Sequence, residues 1–112
     1  MLPLKNRLKK KKDFEKVLKQ GENIRGSVMY FKVLKTKEPE PRIGFIVSKK
    51  VSPKAVERNK ARRRMKEAVR SSLDSLKKGT DIVIIALPKI KEKSFEEIKE
   101  EIQKTFKKIN NV

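Results

Sequence analysis

Residues 48–70, Ser-Lys-Lys-Val-Ser-Pro-Lys-Ala-Val-Glu-Arg-Asn-Lys-Ala-Arg-Arg-Arg-Met-Lys-Glu-Ala-Val-Arg, constrain this chain more than any other stretch. From Lys49 to Lys66 they carry nine Lys or Arg residues against one acid, Glu57. Like charge at this density is ordinarily a disordered tail. Here, however, Ala61, Met65, Val69 and Leu76 return at helical spacing. Ser52 is suited to cap a helix and Pro53 to its first turn, so the spacing predicts a helix over 53–77, closed by Gly79.

On a helical wheel with Met65 at zero, Ala61, Ala68, Val69 and Leu76 fall within about 60°. Asn59, Lys60, Arg62, Arg63, Arg64, Lys66 and Arg70 sweep the other side. Arg58 breaks the pattern. It lies two turns before Met65, in line with the apolar stripe. Either the helix overhangs its sheet and Arg58 is solvated there, or Arg58 and Arg62, one turn apart, form a wall of a basic cleft.

The whole chain is 112 residues with a formal charge of +18, a pI near 10.3, no His and no Cys. That length suits one domain, 1–112, with one core and a basic N-terminal arm over 1–12. The charge implies a polyanionic partner, a phosphate backbone rather than a membrane. No apolar run is long enough to span a bilayer, and no signal-peptide core follows the N-terminal basic residues. The absence of Cys excludes a disulfide framework and suits the cytoplasm. Charged residues make up 41% of the chain, rich in Lys and Glu, a lean towards a thermophile.

Along the arm, Leu4 and Leu8 are spaced to dock on the domain. Asp13 is placed to cap a short helix with Phe14, Val17 and Leu18 on one face, ended by Gly21. Val28 to Lys35 alternates as a strand. Tyr30 and Phe31 then face opposite sides, so at most one packs in the main core and the other lies on an open face. A turn with Pro39 and Pro41 leads to a second strand, 42–48, and the two are expected to pair as an antiparallel hairpin. Gly44 within it marks a close approach by another element. Residues 81–87, Asp-Ile-Val-Ile-Ile-Ala-Leu, read as a central strand buried on both faces. Ser94 and Glu97 form a capping box, followed by Phe95, Ile98, Ile102, Phe106 and Ile109 on one helix face.

The expected class is α+β, an α/β sandwich in the order α-β-β-α-β-α with a small mixed sheet, and an extra short strand is allowed near Ile24. Helices cover the sheet and leave part of one face open. Sheet statistics alone make the crossover between the strands at 42–48 and 81–87 right-handed.

Catalytic chemistry is not legible. Without His or Cys no Ser-His or Cys-His pair is available. Asp13, Asp74 and Asp81 lack the spacing of a metal-binding carboxylate set, and no Gly-rich phosphate loop occurs. The basic helix face is therefore read as a nucleic-acid surface, because one-sided charge over 18 residues repels itself unless a polyanion relieves it. Aromatic faces for stacking unpaired bases are available from Phe14, Tyr30 and Phe31.

Several stretches together resemble the protein component of bacterial ribonuclease P. They are Asn6-Arg7-Leu8-Lys9, Asp13-Phe14 with Val17 and Gly21, Arg42-Ile43-Gly44, Val47-Ser48-Lys49-Lys50-Val51, Ala55 to Ala68 and Asp81-Ile82-Val83. The segment Arg58-Asn59-Lys60 is similar to the family's Arg-Asn-Arg motif, with Lys60 at the third position, which keeps charge but loses the guanidinium fork. Leu18 stands where many relatives carry a second aromatic.

The resemblance implies a ribosomal protein S5 domain 2-like fold with a left-handed βαβ crossover. It implies a subunit of ribonuclease P that binds the catalytic RNA and the single-stranded 5′ leader of precursor tRNA, and assists endonucleolytic removal of that leader. In this scheme the holoenzyme is the endoribonuclease. Catalysis and Mg²⁺ binding belong to the RNA and substrate, with no catalytic or metal residue in the protein and no small-molecule substrate.

By position, the resemblance assigns Phe14, Tyr30, Lys32, Arg58 and Arg62 to the leader cleft. A count with one gap would substitute Phe31 for Tyr30. It assigns Lys49, Lys50, Arg58, Asn59, Lys60, Arg63 and Lys66 to catalytic-RNA binding. A ribosomal RNA-binding structural protein of similar fold is the alternative.

Overall fold

A computed structural model of the chain describes residues 2–110. The first helix, α1 (Lys11–Gln20), is followed by strands β1 (Glu22–Arg25), β2 (Met29–Lys35) and β3 (Arg42–Ile46). The basic helix α2 (Ala55–Ser72), strand β4 (Thr80–Ala86) and helix α3 (Phe95–Asn110) complete the order. The short strand at Ile24 is thus present.

The sheet order is β1-β2-β4-β3, with β1/β2 and β2/β4 antiparallel and β3/β4 parallel. The expected β2–β3 hairpin does not form, because β4 lies between the two strands. Six of the seven β4 residues are buried, so this strand needs a neighbour on each side. The link from β2 to β3 steps over the start of β4. There the Thr36 N–H donates to the Gly79 carbonyl at 2.7 Å. Pro39 and Pro41 cannot donate to a ladder, which suits a crossing rather than a pairing segment. Gly79 adopts φ +72°, and a Cβ there would collide with the Thr36 carbonyl. The true hairpin is β1–β2, closed through Gly26, Ser27 and Val28.

Two cores sit on opposite faces of the sheet. Phe31, Ile43, Ile82 and Ile84 face α2 and α3, where they meet Met65, Val69, Ile98, Ile102 and Phe106. On the other face α1 seats Val17 against Val83, with Leu8, Phe14 and Leu18 beside them.

Helix ends differ from expectation in two places. The α1 N-cap is Lys10, not Asp13; the Asp13 carboxylate turns to Arg42 instead, at 3.4 Å. Helix α2 begins at Ala55 after Lys54 and runs to Ser72, then tightens into a 3₁₀ turn, Leu73–Ser75. Ser52 does not cap it directly. Its hydroxyl accepts from the Lys54 N–H at 3.1 Å and donates to the Glu57 carboxylate. The Ser94–Glu97 capping box forms as expected, each side chain accepting from the other's backbone N–H at 3.2 Å.

The arm docks, but through Leu2 and Leu8 rather than Leu4 and Leu8. Leu2 enters the main core and Leu8 the α1 core, while Leu4 is 63% exposed. Between the two anchors Arg7 bridges Ile43 in parallel, the Leu8 N–H donates to the Ile43 carbonyl at 3.0 Å and Asn6 Nδ2 donates to the Pro41 carbonyl at 2.8 Å. The arm thereby covers part of the free edge of β3.

Candidate nucleic-acid interface

Strand register orders the α1 face of the sheet into rows, because paired residues point to the same side. At one end Leu34, Asp81 and Arg42 line up across β2, β4 and β3. The next row is Asn23, Lys32, Val83 and Gly44, and the one after it Arg25, Tyr30, Ile85 and Ile46.

Arg42 and Asp81 close the first row. Nε and Nη2 of Arg42 donate to the two carboxylate oxygens of Asp81 at 2.9 and 2.6 Å. Asp13 and Glu38 add weaker contacts at 3.4 and 3.8 Å. The hydrogen bond to Asp81 holds the guanidinium pKa above its ordinary value, against the opposing effect of burial. Both Asp13 and Asp81 are thus occupied by an arginine. Among the described residues no group of three or more His, Cys, Asp or Glu is placed to hold a metal ion.

In the middle row α1 comes down on Gly44. A Cβ built there would collide with the far edge of the Phe14 ring, with Cε1 at 2.6 Å. The close approach read from Gly44 is therefore that of Phe14. One side of the ring is committed to the sheet, and the residue as a whole is half-buried.

The third row is only partly covered: Tyr30, Ile85 and Ile46 are each of intermediate exposure. Phe31 is fully buried in the opposite core, so Tyr30 is the β2 aromatic on this face. Its neighbour two residues on, Lys32, is half-buried on the same side. Neither side chain forms a hydrogen bond or ion pair among the described residues.

At the β3 side of this face, a cavity of about 260 Å³ lies between the arm, β3 and α2. Phe14, Leu8, Arg7, Lys9, Arg62 and Lys66 are among its lining residues. Phe14 and Arg62 thus line one cavity, with Lys66 one turn further along α2 on the same wall. Arg62 Nη1 donates to Asn59 Oδ1 at 2.8 Å, which ties the cavity wall to the motif. Arg58 is half-buried, beside the exposed first turn of α2. Its Nη1 donates to the Ser52 and Pro53 carbonyls at 3.0 and 2.9 Å, folding the side chain back over the start of its own helix. It does not line the cavity that holds Arg62. Asn59, Lys60 and Arg63 are exposed on α2, and Lys49 and Lys50 are exposed in the preceding loop. Glu57, the one acid of the basic segment, is held below the ordinary carboxylate value, chiefly by the hydrogen bond from Ser52.

Sequence reasoning missed three contributors. Arg7 and Lys9 of the arm reach the cavity because they flank Leu8, which with Leu2 pins the arm to the domain. Arg42 organises one end of the face; the only hint was an acid, Asp81, opening an otherwise apolar strand.

A family model described as Ribonuclease P matches residues 2–110. A ribonuclease P protein component from Clostridioides difficile (strain 630) is 41% identical over 102 residues, spanning 90% of this chain and 89% of the relative. One from Bacillus mycoides (strain KBAB4) is 36% identical over 105 residues, spanning 93% and 90%. Among solved structures, the RNase P protein from Thermotoga maritima aligns with a TM-score of 0.82 at 28% identity over 91% of this chain and 96% of its own. That from Staphylococcus aureus aligns with a TM-score of 0.81, also at 28%, over 96% of each. With a match over nearly its whole length and relatives this similar, the chain belongs to the ribonuclease P protein family.

Proposed function

We propose that the open sheet face of this ribonuclease P subunit holds the single-stranded 5′ leader of precursor tRNA, while α2 and the loop before it dock on the ribonuclease P RNA. The subunit acts in tRNA processing. The RNA and its bound Mg²⁺ carry the hydrolysis, and the protein itself contributes no catalytic group. The observation that carries this reading is the row of Tyr30, Ile85 and Ile46. It offers an aromatic and two aliphatic side chains on a sheet face that α1 leaves partly uncovered, flanked by Lys32 on one side and the Arg62–Lys66 wall near Phe14 on the other. Stacking on Tyr30 is worth ~1–3 kcal/mol per base and tolerates any sequence, which suits leaders that differ between tRNAs. Arg58, Asn59, Lys60, Arg63 and the lysines at 49 and 50 form the RNA-docking side, with Lys66 at the border of the two surfaces. A cytoplasmic location fits a chain without Cys. The ribosomal alternative shares charge and architecture, and no observation favours it.

The test is a pair of variants assayed as holoenzyme. Tyr30→Ala is expected to weaken binding of precursor tRNA about tenfold or more, with mature tRNA binding and assembly with the RNA unchanged. Arg63→Ala is expected to weaken assembly and raise the Mg²⁺ requirement whatever the leader length. Equal loss of both functions in both variants would mean one undivided basic surface.

A further inference from the structure

The rows of the sheet do not stop at Tyr30. Its partner on β1 is Arg25, and Ile24 pairs with Phe31, whose side belongs to the main core. Alternation therefore puts Arg25 and Asn23 on the same face as Tyr30 and Lys32. Arg25 is exposed at the outer strand of the sheet and has no hydrogen-bond or ion-pair partner among the described residues, although it also borders the cavity between the β1–β2 turn and α3 that Glu97, Glu100 and Glu101 line. The eight residues of these two rows include two cations, Arg25 and Lys32, and no acid. Glu22, also on β1, pairs with Val33 and so belongs to the opposite face.

We propose that the leader crosses the whole sheet along the Ile46–Ile85–Tyr30–Arg25 row, and that Arg25 takes a backbone phosphate at the far end. This rests on the leader-binding reading above and extends it to a residue that reading does not use. From β3 to β1 the row spans three strand spacings, about 14 Å. That is room for up to about four nucleotides at the stacked rise of 3.4 Å. With α2 docked on the catalytic RNA, as the leader-binding reading has it, the α2 wall marks the end of the row nearest the cleavage site. Nucleotides nearest the cleavage site lie by the α2 wall, the next stack on Tyr30, and those further upstream pass Arg25. Because a phosphate is present in every leader, the contact adds affinity with leader length and not with leader sequence.

The experiment measures holoenzyme binding of precursor tRNAs whose leaders grow from about one to about ten nucleotides, at several salt concentrations. The variants are Arg25→Ala, Tyr30→Ala and Lys107→Ala. Lys107 is exposed on the last turn of α3, on the other side of the sheet, and its loss matches the charge change at Arg25. Arg25→Ala is expected to weaken binding of long leaders about three- to tenfold. The slope of log K against log salt should become shallower by about 0.7, one phosphate on a single strand. The loss should set in at longer leaders than the loss caused by Tyr30→Ala, and Lys107→Ala should not show it. If Arg25→Ala matches Lys107→Ala at every leader length while Tyr30→Ala still responds, the strand does not reach β1 and this inference falls alone. If neither Arg25→Ala nor Tyr30→Ala responds to leader length, the leader-binding reading falls with it. Because Arg25 is exposed, its removal should leave the melting temperature unchanged, which separates lost binding from lost fold.

Discussion

Two residues that touch no proposed ligand decide where the interface residues stand. Arg42 joins three acids from α1, the β2–β3 link and β4 at one point, and Asp81 beneath it is only 2% exposed. Replacing Arg42 by Ala would leave that carboxylate buried without its partner, a change expected to cost about 3–5 kcal/mol. Denaturant unfolding of Arg42→Ala measures it. Asp81→Asn in the same background should recover part of the loss. Gly44 is the second such position. Gly44→Ala must push the Phe14 ring off the sheet and with it the start of α1, for about 1–3 kcal/mol. Phe14→Leu added to Gly44→Ala should restore stability if the clash is with the ring, so the two changes should be strongly non-additive in a double-mutant cycle. The sequence carried the Gly44 signal, since glycine inside a strand pattern marks close approach. It did not carry Arg42, because an arginine opening a strand looks the same whether it is solvated or bound to a buried acid 39 residues away.

Elements were legible where one side chain's environment depends only on its own periodicity. Helix α3, with Phe95, Ile98, Ile102, Phe106 and Ile109 on one face, and β4, apolar on both, needed no partner to be recognised. Pairing was not legible. Nearness in sequence points to a β2–β3 hairpin, and the need of β4 for two neighbours overrules it. Glu101 shows the same limit. By pattern it is one of the acids interleaved with Lys on α3, yet its carboxylate accepts from the Ser27 and Val28 N–H groups at 3.0 and 3.2 Å and from the Ser27 hydroxyl. It holds the β1–β2 turn, and thus the strand that carries Arg25. Glu101→Ala is expected to cost about 1–3 kcal/mol and to speed amide exchange at Ser27 and Val28 above that of the β4 amides. The capping box at the start of α3 makes a prediction with a sign. Hydrogen bonds from Ser94 hold the Glu97 pKa below its ordinary value of 4.5. A carboxylate depressed in the folded state stabilises at pH above the unfolded value and loses that contribution as pH falls through the folded pKa. The melting-temperature gap between the wild type and Glu97→Gln should therefore be constant above about pH 5 and close below 4.5.

At the scale of the molecule the charge is distributed so that folding and RNA binding are coupled. A net +18 on 112 residues works against compaction. Five of the fourteen acids, Glu92, Glu96, Glu97, Glu100 and Glu101, gather around the start of α3, on the face away from Tyr30 and Lys32. The cations of the arm, α2 and the 48–54 loop are left with few local acids to offset them. Lys9, Lys10, Lys12, Lys60 and Arg63 are all exposed, and none forms an ion pair among the described residues. A multivalent anion that binds these groups only when the fold brings them together must stabilise the fold by mass action, by about 2.7 kcal/mol at a hundred times its Kd. For a domain of this size that corresponds to a rise in Tm of roughly 10–20 °C. Pyrophosphate should act at lower concentration than sulfate, and chloride at equal ionic strength should do much less, because screening alone does not require a folded site. If the site is the Arg62–Lys66 wall with the arm lysines, a Lys66→Ala, Lys9→Ala double variant should lose most of the pyrophosphate-induced rise. Its Tm in chloride alone should hold or increase, since two repelling charges are gone. A rise in Tm that is the same for the wild type and this variant would mean that the anions act on the overall charge and not on the cavity beside Phe14.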